Sequence, residues 1–234
     1  MTRTVVVVGG SSGIGRAIAA GFAGGEGARV VATGHEEGVV ASLPEGVEGA
    51  VLDVRDAESV TAFFAGFERL DVLVNCAGVI RRNGAEFRQQ DFADVLDINL
   101  NGTQRCCEAA HAALKAAGGC VINTASMLTY FGSATSPAYA ASKGGVAQLT
   151  KSLAIAWAAD GIRVNAIAPG WIATDLTRAL TEDPARSDPI LSRTPMKRWG
   201  KPEDLAGPAR FLASPEAAFV TGVILPVDGG YSAS

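Results

Sequence analysis

Short runs rich in β-branched residues recur along the chain at 4–8, 29–33, 50–53, 71–75, 120–124, 163–167 and 223–227. Most are apolar without strict polar alternation, which marks strands covered on both faces, as in a parallel sheet. Between them the apolar positions switch to helical spacing. Ile14, Ile18 and Phe22 recur every four residues, and Val60, Phe63, Phe64 and Phe67 mark the next long segment. Two longer helices are expected at about 91–115 and 139–158. Strand and helix alternate, and parallel crossovers are right-handed. The pattern therefore predicts an α/β doubly wound parallel sheet of about seven strands, helices on both faces, with a ligand crevice at the carboxyl ends of the strands.

Two stretches break the alternation. Gly38, Pro44 and Gly46 interrupt the segment between the second and third strands, so the helix expected there is missing. The segment 168–201 carries Pro169, Pro184, Pro189 and Pro195 and lacks a sustained helical period; it reads as a lid, with an ordinary surface excursion as the alternative. No Pro/Ser-rich linker or internal repeat divides the 234 residues, so one domain over 1–234 is expected.

Composition narrows the function classes. Hydrophobic residues make up 48% and charged ones 19%, enough for a large core and too little charge for a disordered chain. The net charge of −4 argues against nucleic acid, whose binding needs a basic face. No apolar run approaches the roughly 18 residues of a membrane span, and the first residues lead straight into a strand-like Val run. A cytoplasmic protein acting on a small molecule, off the membrane, is expected. Cys76, Cys106, Cys107 and Cys120 have neither zinc-site nor disulfide-framework spacing and read as reduced, buried thiols. With His35 and His111 the only histidines, no metal site is expected, and acid–base chemistry falls to other side chains.

The first strand runs into Gly9-Gly10-Ser11-Ser12-Gly13-Ile14-Gly15 and then a helix. Glycines there let the backbone turn tightly against a pyrophosphate at the positive helix N-terminus, although a simple tight turn would look similar. Tyr139-Ala140-Ala141-Ser142-Lys143 places an ammonium one helical turn after a phenol. Tyrosine titrates near 10, so a tyrosine base near neutrality needs its pKa lowered by about 3 units, a differential of about 4 kcal/mol. Lys143 can supply that, and Ser126 can hold a substrate oxygen by hydrogen bonding. Taken singly, Tyr139 could be a helix-surface aromatic and Ser126 a strand-end cap.

In this order and spacing the chain resembles the short-chain dehydrogenase/reductase family over essentially its whole length. The glycine turn, Tyr139 and Lys143, and Ser126 thirteen residues before the tyrosine carry the resemblance. So do Asn75-Cys76-Ala77-Gly78, Asn99 in Ile98-Asn99-Leu100-Asn101-Gly102, Pro169-Gly170 and Asp228-Gly229-Gly230. The resemblance implies a Rossmann-type fold and hydride exchange between a nicotinamide cofactor and a secondary alcohol or ketone. Tyr139 would exchange the proton, Lys143 would grip the ribose hydroxyls, and Asn99 would position a water. It puts Gly9, Ser11, Ser12, Gly13, Ile14 and Gly15 at the pyrophosphate, and Asp53 and Val54 near adenine. Asn75, Ala77 and Gly78 would follow the ribose, with Pro169, Gly170, Ile172 and Thr174 at the carboxamide. Asp53 could otherwise be a helix cap. The family also implies a homotetramer assembled through the two long helices.

Val8 departs from the family's usual threonine and Cys76 from its second asparagine. At the end of the second strand, Thr33-Gly34-His35-Glu36-Glu37 offers neither the usual NAD-selecting acid nor the arginine expected for a 2′-phosphate. Nearby acids would repel that phosphate and His35 or Arg16 would attract it, so the expectation leans to NAD over NADP. Ala77-Gly78-Val79-Ile80-Arg81-Arg82, Ala125-Ser126-Met127-Leu128 and Arg198-Trp199-Gly200 resemble the family's sugar-acid branch, the 2-dehydro-3-deoxy-D-gluconate 5-dehydrogenases and 2-deoxy-D-gluconate 3-dehydrogenases. Arg81, Met127 and Trp171 are the expected substrate contacts, Arg81 as a partner for a carboxylate. The alternatives are a 3-oxoacyl-thioester reductase, which would need a basic docking surface, and a catalytically silent dinucleotide-binding sensor, which would be expected to have lost Tyr139 or Lys143.

Overall fold

Four successive valines, Val5 to Val8, are each no more than 1% exposed, and they divide between two cores: Val5 and Val7 pack on one side of the sheet, Val6 and Val8 on the other. This alternation in a strand buried on both faces is what the continuous apolar run encodes. The computed structural model describes residues 2–25, 27–40 and 42–234. Its strands are β1 (Arg3–Val8), β2 (Ala28–Gly34), β3 (Val47–Val51), β4 (Val72–Asn75), β5 (Cys120–Thr124), β6 (Arg163–Pro169) and β7 (Ile224–Val227). They form one seven-stranded parallel sheet in the order β3-β2-β1-β4-β5-β6-β7. Chain order reverses between β1 and β4, which places a crevice at their carboxyl ends.

The helices are α1 (Gly13–Ala23), α2 (Glu37–Val40), α3 (Ala57–Ala65), α4 (Gln89–Leu96), α5 (Gly102–Ala117), α6 (Pro137–Trp157), α7 (Arg178–Thr181), α8 (Pro184–Arg193) and α9 (Ala206–Ala213). Phe64 of α3, Leu114 of α5 and Ala154 of α6 cover one face of the sheet; Ile18 and Phe22 of α1 and Leu212 of α9 cover the other. Among the described residues no helix is long and apolar enough to cross a membrane, and no cluster of metal-ligating side chains occurs. All four cysteines are free, and burial pushes the Cys106 thiol up to about 12.

Four elements depart from the sequence expectation. β3 lies at Val47–Val51 rather than 50–53 because it is the sheet's edge: half of it faces solvent, and the apolar Leu52 and Val54 belong to the turn that follows. The helix between β2 and β3 is cut to the single turn of α2 rather than lost. The helix expected at 91–115 is interrupted by a π-helical turn over Asp97–Asn101, just where Asn99 sits. Within 168–201 there is helix after all. Pro184 opens α8, where its missing N–H costs nothing, and the Asp183 carboxylate accepts from Ala185 N–H. Ala173 N–H donates to Gly200 O at 2.8 Å and Gly200 N–H to Trp171 O at 2.9 Å, so this excursion leaves and rejoins the body at one point.

Candidate active site

The turn after β1 exists because its glycines are irreplaceable there. Gly9 has φ +73°, and a Cβ on it would lie 2.5 Å from Ala77 N. A Cβ on Gly15 would lie 2.2 Å from Gly9 O. The first turn of α1 follows with no acidic residue and no side-chain cap from Ser12, so its N–H groups and helix dipole are left for an anion. That uncapped cradle fits the pyrophosphate of a dinucleotide. The cleft it opens, about 330 Å³, runs past Gly9, Ser11, Ser12, His35, Asp53 and Val54 and is bounded opposite by Ala77 and Gly78. Arg55 forms a bidentate pair with Asp53 (3.0 and 2.6 Å), which holds the Asp53 carboxyl below its usual range. Asp56, rather than Asp53, caps α3.

A second cavity, of about 360 Å³, is lined by Ile14 of α1 and by Thr174 and contains Ser126 and Tyr139. Pro169, Gly170 and Ile172 lie on its wall, as do Met127 and Trp171. Ser126 sits at the end of β5 and also caps the following turn, its Oγ accepting from Leu128 N–H at 3.2 Å. The cap expected of this serine is thus present, on a side chain that also lines the cavity. Tyr139 and Lys143 share one face of α6, with the ammonium 5.5 Å from the phenol ring centre.

Lys143 is 4% exposed and donates to Thr124 O at 2.6 Å; burial holds it down at about 8. Burial drives the Tyr139 phenol up from its ordinary value, Ser126 opposes this, the Glu86 carboxylate adds to it and Arg82 opposes it. Desolvation thus disfavours the phenolate that Lys143 was expected to promote.

Several expected contacts lie elsewhere. The Asn75 side chain turns into the sheet, where Nδ2 donates to Asn123 Oδ1 at 2.9 Å and to Cys107 Sγ at 3.3 Å. Its Oδ1 has no partner among the described residues, and it does not line the cleft. Asn99 is wholly buried and its amide makes three hydrogen bonds, leaving one acceptor position on Oδ1. It accepts from Val79 N–H at 2.8 Å and donates to Val79 O at 2.9 Å and Ser142 Oγ at 3.1 Å. It pins the segment beside Gly78, where a Cβ would lie 3.3 Å from Asn99 Oδ1 and 3.6 Å from Lys143 Nζ.

Arg81 does not face the cavity of Ser126 and Tyr139. Its guanidinium pairs with Asp94 at 2.5 Å and borders the dinucleotide cleft. The next residue, Arg82, enters the catalytic cavity and donates to Leu176 O at 2.5 Å. Arg193, at the end of α8, lines the same cavity. It lies 4.3 Å from the Tyr231 ring centre and donates to the Tyr231 hydroxyl at 3.3 Å. Among the described residues no Asp or Glu lines that cavity, and the buried Nε1–H of Trp171 on its wall has no acceptor. Arg82, Arg193 and Glu86 join the site beyond the sequence expectation: Arg82 is one position from the expected Arg81, whereas nothing local marks Arg193. Another cavity of about 360 Å³ shares Trp171 and Ile172 but holds none of Ser126, Tyr139 or Lys143.

Comparison with known proteins agrees with this geometry. A family model described as enoyl-(acyl carrier protein) reductase matches residues 8–232. A Pseudoalteromonas atlantica 2-dehydro-3-deoxy-D-gluconate 5-dehydrogenase is 43% identical, over 98% of this chain and 95% of its own. An Agrobacterium tumefaciens structure, provisionally a 2-deoxy-D-gluconate 3-dehydrogenase with bound NADP, superposes with a TM-score of 0.89 at 43% identity, covering 99% and 97% of the two chains. A Burkholderia cenocepacia gluconate 5-dehydrogenase in complex with NADP and tartrate gives a TM-score of 0.93 at 37% identity, covering 99% and 96%. NADP in both similar structures leaves the lean toward NAD without support.

Proposed function

The chain belongs to the short-chain dehydrogenase/reductase family, an NAD(P)-dependent group acting on CH–OH groups, and from that premise we propose that it interconverts a secondary alcohol and a ketone on a sugar acid. One observation carries the substrate class: the cavity of Ser126 and Tyr139 holds two guanidinium groups and no carboxylate, in a chain whose net charge is −4. Such a cavity concentrates anions. Arg193 replaces Arg81 as the partner for the substrate carboxylate, with Arg82 beside it, while Met127 and Trp171 contact the carbon chain.

The nicotinamide cofactor, when bound, supplies or takes up the hydride. Gly9, Ser11, Ser12, Gly13, Ile14 and Gly15 hold its pyrophosphate. Asp53 and Val54 border the adenine, Ala77 and Gly78 the ribose, and Pro169, Gly170, Ile172 and Thr174 the carboxamide. Tyr139 exchanges a proton with the substrate oxygen, which Ser126 holds by hydrogen bonding, and Lys143 biases the phenol and grips the ribose. Asn99 acts by fixing the Val79 backbone. We place NADP ahead of NAD, as in the similar structures that hold it, with His35 lining the cleft. Residues 168–201 close over the cavity as a lid within a single domain. The outer face of α5 and α6, where Ile155 is 81% exposed, joins subunits of a cytoplasmic homotetramer.

A nicotinamide-absorbance screen of NAD and NADP against sugar acids, neutral polyols and a 3-oxoacyl thioester tests the reading. Turnover of sugar acids with NADP is the expected result, and turnover confined to the thioester would overturn it. Light scattering should give four subunits; a monomer would contradict the assembly.

A further inference from the structure

Among the described residues, Glu86 and Lys143 are the charged side chains that the fold removes from water. Lys143 belongs to the site already described. Glu86, 0% exposed, takes two backbone donors instead of a cation: Arg81 N–H donates to Oε1 and Tyr139 N–H to Oε2, each at 2.9 Å.

The chain goes to some trouble to bring it there. Asn83 (φ 58°) and Gly84 (φ 73°) are two successive left-handed residues that reverse the backbone after Arg82, so the turn Ala85–Phe87 carries Glu86 back beneath Arg81. Left-handed backbone at a non-glycine residue is strained, so the reversal needs support from its surroundings. At the other end of the contact, Tyr139 is the third residue of α6, and its N–H is one of the donors that a helix start leaves without a partner. Ser136, at the cap position, makes no side-chain capping bond. Glu86 therefore caps α6 from another segment, with its carboxylate on the positive end of the helix and its bond on the tyrosine's own backbone.

We infer that Glu86 is the positioning residue of this site: it fixes the Tyr139 backbone and the Arg81–Arg82 backbone to one another, and so sets the field in which the phenol exchanges its proton. The inference rests on Tyr139 being the proton-exchanging group. Its consequence is electrostatic as well as steric. The groups that face the phenol are Lys143 from its own helix, Ser126 from the end of β5, and Arg82 and Glu86 from the reversed segment. Glu86 opposes loss of the phenol proton and Arg82 favours it. The pair also explains why consecutive arginines serve different clefts, since the backbone between them is tied down.

Ultraviolet difference titration of phenolate tests this without any substrate. The chain has three tyrosines, so subtracting a Tyr139→Phe background isolates the one signal. Glu86→Gln keeps the size and removes the charge, and should lower the Tyr139 midpoint by about half a pH unit or more. Glu86→Asp keeps the charge but shortens the reach, and should leave the midpoint near wild type while kcat falls roughly tenfold and KM changes little. A Gln variant whose midpoint is unchanged or raised would overturn the inference. So would an Asp variant with wild-type kcat, which remains informative if the Gln variant does not fold. A chain that oxidised no sugar acid would sink the functional reading yet leave the titration to stand or fall by itself.

Discussion

The two clefts that meet at the start of α1 treat their arginines in opposite ways. In the dinucleotide cleft Arg55 is locked to Asp53 and Arg81 to Asp94, at 2.6 and 2.5 Å. In the catalytic cavity Arg82 and Arg193 hydrogen-bond to a backbone carbonyl and a phenol, and no carboxylate answers them. Paired charges of this kind contribute little net stability and shape a surface; charges left without a counterion wait for one from outside. An arginine is thus informative about ligands according to its neighbours, not its presence.

The largest expected effect separates chemistry from binding. Tyr139→Phe should lower kcat by roughly 10²–10⁴ while leaving the cofactor dissociation constant within about twofold; a variant retaining near-normal turnover would place the chemistry elsewhere. Next comes the contrast between the arginines. Arg193→Met should raise KM for a sugar acid about 10- to 100-fold without affecting a neutral polyol, whereas Arg81→Met should leave that KM alone. Equal effects from the two substitutions would dissolve the comparison.

A smaller effect concerns Lys143, held at about 8 against an ordinary 10.5. Between those values the unfolded chain carries a proton that the folded one lacks, so this residue's penalty is full below the lower value and fades as pH rises through the window. Thermal unfolding should show Lys143→Met more stable than wild type near neutral pH by about 1–3 kcal/mol, with the gap closing in alkaline buffer. The smallest effect converts one cleft toward the other. Asp94→Asn frees Arg81 and should improve affinity for NADP relative to NAD by about two- to fivefold, measured by cofactor fluorescence; no change would mean that Arg81 lies out of reach of the cofactor's charge.

The seven strands were legible because apolar runs buried on both faces are a local signal, and β3 was misplaced because an edge strand weakens that signal. The pair Tyr139 and Lys143 was legible because one helical turn is a fixed spacing, whereas Ser126, on another element, was legible only through the family resemblance. Asn75 misled: its motif suggested the cleft, but the hydrogen bonds offered by Asn123 and Cys107 inside the sheet claimed its side chain. The π-helical turn at Asn99 leaves no mark in composition, because it alters backbone geometry and not residue type.

By itself, then, the chain's text determined the alternating architecture, the phosphate-sized turn and the phenol–ammonium pair, all of which depend on residues within a few positions of one another. Tertiary structure decided which of two adjacent arginines lines the cavity of Ser126 and Tyr139, that Arg193 joins it from more than a hundred residues away, and that Glu86 caps the helix of Tyr139. Those are matters of which group reaches a counterion first and how much water remains beside it, and only the folded arrangement of distant segments sets either.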